Sequence, residues 1–139
     1  MKKDIQIVSD PIDVQACIQS ASNPECGGIV SFVGTVRNHT QEREVVRLEF
    51  ESYDAMAIKE MTKIADSIFD QWPAQHVTFH HRKGNLQIGE VAVVIVVACP
   101  HREPAFEACQ FAIDTLKKTV PIWKKEIFTD GEVWVSAHP

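Results

Sequence analysis

The stretch VAVVIVVAC at residues 91–99 decides how the rest of this 139-residue chain folds. It is an almost continuous apolar run rich in β-branched residues, and together with the residues before it predicts a strand over Ile88–Cys99. A strand without polar alternation is typically covered on both faces. The run is too short to span a bilayer, which takes about 20 residues in a helix. The sequence therefore predicts a buried strand with other elements packed on either side of it.

Two helices are long and amphipathic enough to cover that strand. Apolar residues recur every three to four positions over about Tyr53–Gln71 and again over Pro104–Lys118. A shorter helix is predicted over Pro11–Ala21, with Asp10 as its N-cap and proline at its first position.

The remaining elements are strands separated by turns and loops. Residues 37–43 are polar without an apolar anchor and predict a mobile surface loop, and residues 82–85 predict a turn. Asp130-Gly131 predicts the tight turn of a C-terminal hairpin. The other predicted strands cover Ile5–Val8, Ile29–Val36, Val46–Phe50, Val77–His81, Ile122–Phe128 and Val133–Ser136.

The alternation of strands and helices predicts an α/β protein of the α+β type. The length fits a single compact domain over residues 1–139, in which a mixed sheet is covered by two main helices and followed by a C-terminal hairpin.

The composition excludes several classes of function. Lys and Arg number 14 against 19 Asp and Glu, a net charge of −5, which argues against general nucleic-acid binding. The four cysteines match no zinc-binding spacing, and the N-terminus lacks the apolar segment of a signal peptide. We therefore expect a cytoplasmic protein with reduced thiols, without a membrane segment, a metal or a cofactor.

Cations stand out in this acidic chain where strands and helices meet loops. Arg37 follows a buried strand, and His101-Arg102 precede a helix, whose N-terminus favours anions. Each also has an ordinary interpretation, as a solvated strand end or as a loop pair held by a surface carboxylate. Cys99, beside the pair, is interpreted as a buried, inert thiol rather than a nucleophile.

Four lysines near the C-terminus extend this set. Lys117 and Lys118 end a helix, where a cation offsets the helix dipole. Lys124 and Lys125 are consecutive on a strand and point to opposite faces, and Lys124 shares its face with Glu126. The residues alone allow binding of an anionic small molecule, or a solvated strand edge that discourages aggregation. The adjacent His80 and His81 also point to opposite faces, so one metal cannot easily take both.

The order of the motifs resembles the large, catalytic subunit of molybdopterin synthase, in the molybdenum cofactor pathway. The motifs run in that family's order over nearly the whole chain, and the lysine-rich motif after an upstream Leu-Lys is the most specific. They are GIVSFVGTVR (28–37), LEFESY (48–53), HRKG (81–84), IGE (88–90), HREPAF (101–106), LK (116–117) and VPIWKKE (120–126).

The resemblance implies a sulfurtransferase that converts a cyclic pyranopterin monophosphate, precursor Z, into molybdopterin by inserting two dithiolene sulfurs. The sulfur would come from the C-terminal Gly-Gly thiocarboxylate of a small ubiquitin-like subunit, whose tail threads into a pocket. A homodimer of this chain would carry two small subunits in a heterotetramer. Because the donor supplies the nucleophilic sulfur, this chain would need no cysteine of its own.

The resemblance also assigns residues. Lys117 and Lys124 match the family's two key lysines and are expected to be catalytic. Lys117 would position the thiocarboxylate and the reacting carbon, and Lys124 would balance charge on the phosphate and in the transition state. The full expected substrate-binding set is Thr35, Val36, Arg37, His101, Arg102, Lys117, Lys124, Lys125 and Glu126.

Three other functions stay open from the residues. A binding module would capture the partner's tail without chemistry, and a phosphate-ester enzyme would use the same side chains without any partner protein. Nucleic-acid binding is the third. The net negative charge and the lack of a stripe of aromatic and basic residues argue against it.

Overall fold

A computed structural model describes residues 1–136, with side chains described as far as Val133. The described chain forms nine strands and three helices. In order, they are β1 (Lys2–Val8), α1 (Val14–Ser20), β2 (Gly28–Thr35), β3 (His39–Thr40), β4 (Arg43–Ser52), α2 (Asp54–Gln71), β5 (His76–Arg82), β6 (Gly84–Gln87), β7 (Val91–Cys99), α3 (Arg102–Thr119), β8 (Ile122–Phe128) and β9 (Gly131–Ser136).

The apolar stretch forms β7, an inner strand of a four-stranded sheet with the order β1-β5-β7-β2. β1 and β5 are parallel, and β7 is antiparallel to both of its neighbours, β5 and β2. Every residue from Ala92 to Cys99 is buried. The prediction of a strand covered on both faces is therefore confirmed.

A second sheet stands beside the first, where the sequence predicted one mixed sheet. Its strands have the order β3-β4-β8-β9, and β6 pairs with β4. The predicted C-terminal hairpin is its β8–β9 pair, closed at Gly131, whose φ of 146° favours glycine. The α/β class of the α+β type is confirmed, with the strands divided between two sheets.

The helices cover the first sheet unequally. The apolar stripes of α2 and α3 are buried in the main core against one face. The short α1 covers the other face, where Cys17 and Ala21 pack against Val94, Val96 and Ala98. Full burial of one such valine is worth roughly 1.5–3 kcal/mol, so β7 anchors both layers. No helix in the described part of the chain is both long and apolar enough to cross a membrane.

Some element boundaries differ from the prediction. α1 begins at Val14 rather than at Pro11, because the side chain of Asp13 accepts a hydrogen bond from the Ala16 backbone N–H and caps the helix there. α3 begins at Arg102, two residues before Pro104. Proline fits within a first helical turn because the N–H groups there have no partner inside the helix.

Candidate functional site

A pocket of about 580 Å³ opens between the two sheets and the C-terminal end of α3. Its walls come from the ends of β2 and β5, the start of β7, the middle of β4 and β8, and the last turns of α3. The lining residues are Phe32, Val33, Gly34, Thr35, Arg37, Thr40, Leu48, Phe50, His81, Ala92, Val93, Ile113, Leu116, Lys117, Lys124 and Glu126.

Three cations line this pocket: Arg37 just after β2, Lys117 in the last turn of α3, and Lys124 on β8. Among the described side chains, none of the three makes a salt bridge. Their charges are therefore available to an anionic ligand, in a chain whose net charge is −5. The structure thus brings together three residues that the sequence singled out.

The alternation of β8 explains which lysine enters the pocket. Lys124 pairs with Phe50 and Glu126 with Leu48 on β4, and all four residues line the pocket. Lys125 points to the other face, where its Nζ lies 3.6 Å from Glu132. Lys125 therefore does not line this pocket, because adjacent strand residues face opposite sides, and its expected substrate contact stays a prediction.

Glu126 is a buried carboxylate in this cationic pocket, with 4% of its surface exposed. Thr40 on β3 donates a hydrogen bond to its Oε2. This contact joins the polar segment 37–43 to the pocket wall, and β3 pairs with β4 as well. The segment predicted as an unanchored loop is therefore partly ordered by polar contacts, which an apolar pattern does not reveal.

The end of β2 reaches the pocket through an irregularity in its pairing with β7, between Gly34 and Thr35. Bulges of this kind are common beside functional sites because they redirect side chains. Thr35 lines the pocket as predicted, but Val36 does not. Val36 is buried, and its backbone N–H donates to the Glu90 carbonyl at 3.0 Å; its predicted substrate contact stays a prediction.

His81 is a pocket residue that the sequence analysis did not assign. Its Nδ1 donates to the Arg82 carbonyl at 2.9 Å, and burial lowers the pKa of its imidazole to about 4. The ring is therefore neutral at pH 7, with an unprotonated Nε2 that accepts hydrogen bonds. His81 shares its face of β5 with the fully buried Val77 and Phe79, and this alternation predicts a side chain that faces the core.

His101 and Arg102 do not line the pocket of the same chain. They lie at the opposite end of α3 from Lys117, about 22 Å away along the helix axis at about 1.5 Å per residue. Both are exposed, and a Cβ placed on Gly28 would lie 3.1 Å from the Cα of Arg102. The expected convergence of this pair with Lys117 therefore does not occur within one chain.

Thiols and metal clusters are absent from the described pocket. None of the four cysteines lines it. Among residues 1–133, no group of three or more His, Cys, Asp or Glu side chains is placed to hold a metal ion. The pocket can therefore bind an anion and stabilise developing negative charge through its cations.

Comparisons with known proteins agree with this architecture. The family model described as "MoaE protein" matches residues 7–119. The molybdopterin synthase catalytic subunit of Bacillus subtilis (strain 168) is 44% identical over 130 residues, covering 94% of this chain and 83% of that protein.

Solved structures share the fold. Molybdopterin synthase from Staphylococcus aureus matches with a TM-score of 0.89 and 41% identity, over 93% of this chain and 94% of that one. A complex of subunits 1 and 2 of molybdopterin-converting factor from Helicobacter pylori 26695 matches with a TM-score of 0.78 over 94% of this chain and 89% of that one. At 22% identity, the second likeness concerns the fold alone.

Proposed function

The chain belongs to the MoaE protein family and has the function of its relatives, sulfur transfer in molybdopterin synthesis, and we propose that the reaction takes place in the pocket around Arg37, Lys117 and Lys124. The observation that carries this assignment is the meeting of three cations at one pocket, from the end of β2, from α3 and from β8, none with a salt bridge among the described side chains.

We propose a cyclic pyranopterin monophosphate as the substrate. Its phosphate suits the guanidinium of Arg37, which can donate two parallel hydrogen bonds to one anion. Lys124, on β8 of the second sheet, balances the charge that develops when the cyclic phosphate opens. The neutral His81 accepts a hydrogen bond from a substrate N–H or O–H at Nε2.

The sulfur donor in this proposal is the C-terminal thiocarboxylate of a small ubiquitin-like subunit. The chain's own thiols lie outside the pocket, so the nucleophile has to be brought in. Lys117 is exposed in the last turn of α3, and in this proposal it holds the incoming thiocarboxylate against the reacting carbon. The Helicobacter complex, which shares this fold, contains two different subunits.

We propose that a second copy of the chain supplies the missing His101 and Arg102. β2 is an edge strand, and its exposed side carries Ile29 and Val33. Edge strands pair readily with another chain. If two copies of β2 pair antiparallel along their whole length, Gly28 of one lies beside Thr35 of the other. His101-Arg102, packed beside Gly28, then approach the second copy's Arg37, which follows its Thr35.

A single-turnover assay tests the enzymatic role. Purified chain is mixed with the pyranopterin substrate and a thiocarboxylated small subunit, and dithiolene formation is measured. Product should appear only when all three components are present. Partner binding without product would identify a tail-binding module, and phosphate release without the partner would identify a phosphate-ester enzyme. Either result would overturn the proposal.

A further inference from the structure

A second pocket, of about 420 Å³, lies on the opposite face of the four-stranded sheet, beside α1. Its charge is opposite to that of the first pocket, because three aspartates line it and no lysine or arginine does. It also contains a thiol, from Cys17, and an imidazole, from His80. Because His80 and His81 are neighbours on β5, a single strand separates the two pockets.

Three side chains from three elements form a chain of hydrogen bonds in this second pocket. Nε2 of His80 on β5 lies 2.9 Å from Oδ2 of Asp4 on β1, and Nδ1 lies 3.4 Å from Sγ of Cys17 on α1. Gln6 donates to the other carboxylate oxygen of Asp4 at 2.9 Å and holds it in place.

The direction of these bonds follows from the groups themselves. An ionised carboxylate only accepts, so Nε2 of His80 carries the hydrogen that points to Asp4. In the neutral ring Nδ1 then has a free lone pair and accepts from the thiol of Cys17. The order is nucleophile, base and orienting carboxylate, the arrangement by which proteins activate a thiol or hydroxyl.

The other cysteines lack this arrangement. Burial raises the pKa of Cys99 and of Cys109 to about 11, and neither thiol has a hydrogen-bond partner in the described chain. Burial, followed by the charges of Asp4 and Asp13, raises the pKa of Cys17 as well. Its thiol therefore keeps its proton until His80 takes it during attack.

We propose that Cys17, His80 and Asp4 form a second nucleophilic site, which reacts at sulfur with an electrophilic carbon of an uncharged or cationic molecule. As the S–C bond forms, the thiol proton passes to Nδ1 of His80. The bond from carbon to the leaving group breaks, and the leaving group departs with the electron pair. Asp4 stabilises the imidazolium, which returns its proton to the leaving group or to water. Three carboxylates at the pocket disfavour an anionic reactant.

Alkylation of the native full-length chain tests the site. The probes are iodoacetamide, which is uncharged, and iodoacetate, which is anionic, and peptide mass spectrometry follows Cys17 and Cys26 separately. Cys26 is the reference because it is the less buried thiol and has no histidine partner. Iodoacetamide should modify Cys17 faster than Cys26, and iodoacetate should reverse that order.

Two variants separate base catalysis from simple accessibility. His80→Gln removes the base, and the isosteric Asp4→Asn removes the charge that stabilises the imidazolium. Each should slow the iodoacetamide reaction of Cys17 by about tenfold or more, since a positioned base contributes about 10²–10⁴-fold. Asp10→Asn is the matched control, because Asp10 lines the same pocket and, among the described residues, makes no hydrogen bond or ion pair with His80. The proposal is overturned if Cys26 reacts faster than Cys17 with iodoacetamide, or if Asp4→Asn leaves the Cys17 rate unchanged in a folded chain.

Discussion

At the scale of single residues, the lysines at 117 and 124 are separated from their sequence neighbours by their place in the cationic pocket. Lys117 and Lys124 line the cationic pocket, whereas Lys118 and Lys125 do not. Each neighbour therefore serves as a matched control of the same residue type on the same element.

Lys117→Ala and Lys124→Ala are each expected to reduce single-turnover sulfur transfer by about 10²-fold or more, because a cation facing developing charge is lost. The free energy of unfolding, measured with urea, should change by less than about 0.5 kcal/mol, since neither lysine makes a salt bridge among the described residues. Lys118→Ala and Lys125→Ala should retain the turnover. Normal transfer in both pocket variants would contradict the assignment.

His81 makes the fold sensitive to mild acid. Its pKa is lowered to about 4 in the folded chain from an ordinary value of 6.5. Between these values the unfolded chain binds a proton that the folded chain does not, so stability falls as the pH drops below 6.5. From pH 7 to pH 5, this histidine alone should reduce the free energy of unfolding by about 2 kcal/mol.

Urea unfolding at pH 7 and pH 5 measures this contribution. His81→Gln should lose less stability between the two pH values than the wild type. His39→Gln, at an exposed histidine, should behave as the wild type does. An equal pH-dependent loss in His81→Gln and in the wild type would show that His81 is not held neutral by burial.

At the scale of secondary-structure elements, the sequence predicts what periodicity can encode. α2, α3 and β7 are long and strongly patterned, and their predicted positions are confirmed within a few residues. β3 and β6 are short, polar strands that exist because β4 offers them a pairing edge. The hydrogen bonds that form β6 come from a distant part of the chain, and β3 forms a short hairpin with the start of β4 whose residues carry no apolar pattern.

The pairing of β2 with β7 depends on a missing side chain at Gly34. A Cβ there would lie 2.6 Å from Cγ1 of Val93, directly across the ladder. Val93 is β-branched and cannot easily turn away. Gly34→Ala should therefore reduce the free energy of unfolding by about 1–3 kcal/mol.

A double-mutant cycle identifies the cause of that loss. Val93→Ala removes the methyl group that the new Cβ would meet. The stability lost in Gly34→Ala/Val93→Ala, measured by urea unfolding, should be smaller than the sum of the two single losses. If the two losses simply add, close contact with Val93 is not the reason for glycine at this position.

At the scale of the whole molecule, one chain brings together only part of the predicted residue set. The motifs pointed to Arg37, Lys117 and Lys124, and all three line one pocket. They pointed equally to His101 and Arg102, which a helix of 18 residues holds apart from Lys117. The predicted helix over Pro104–Lys118 already implied this separation, because a helix keeps its two ends apart by its own length.

Mixing two inactive chains tests whether pockets are shared between copies. Lys117→Ala lacks a pocket lysine, and Arg102→Ala lacks the guanidinium proposed to come from the second copy. In a two-fold dimer containing one of each, one pocket keeps both residues intact. After random exchange of subunits, about a quarter of the wild-type activity should return. If the mixture stays as inactive as its components, the two residues act within one chain or not together.

The apolar run of β7 has a further consequence outside the folded state. Nine uncharged residues without proline, rich in valine, resemble the segments through which unfolded chains aggregate. During synthesis, β2 and β5 precede this strand, but α3, which covers one face of it, follows. A nascent chain therefore exposes an aggregation-prone apolar strand until α3 has been made. For the same reason, refolding from denaturant should give the highest yield when the chains are dilute.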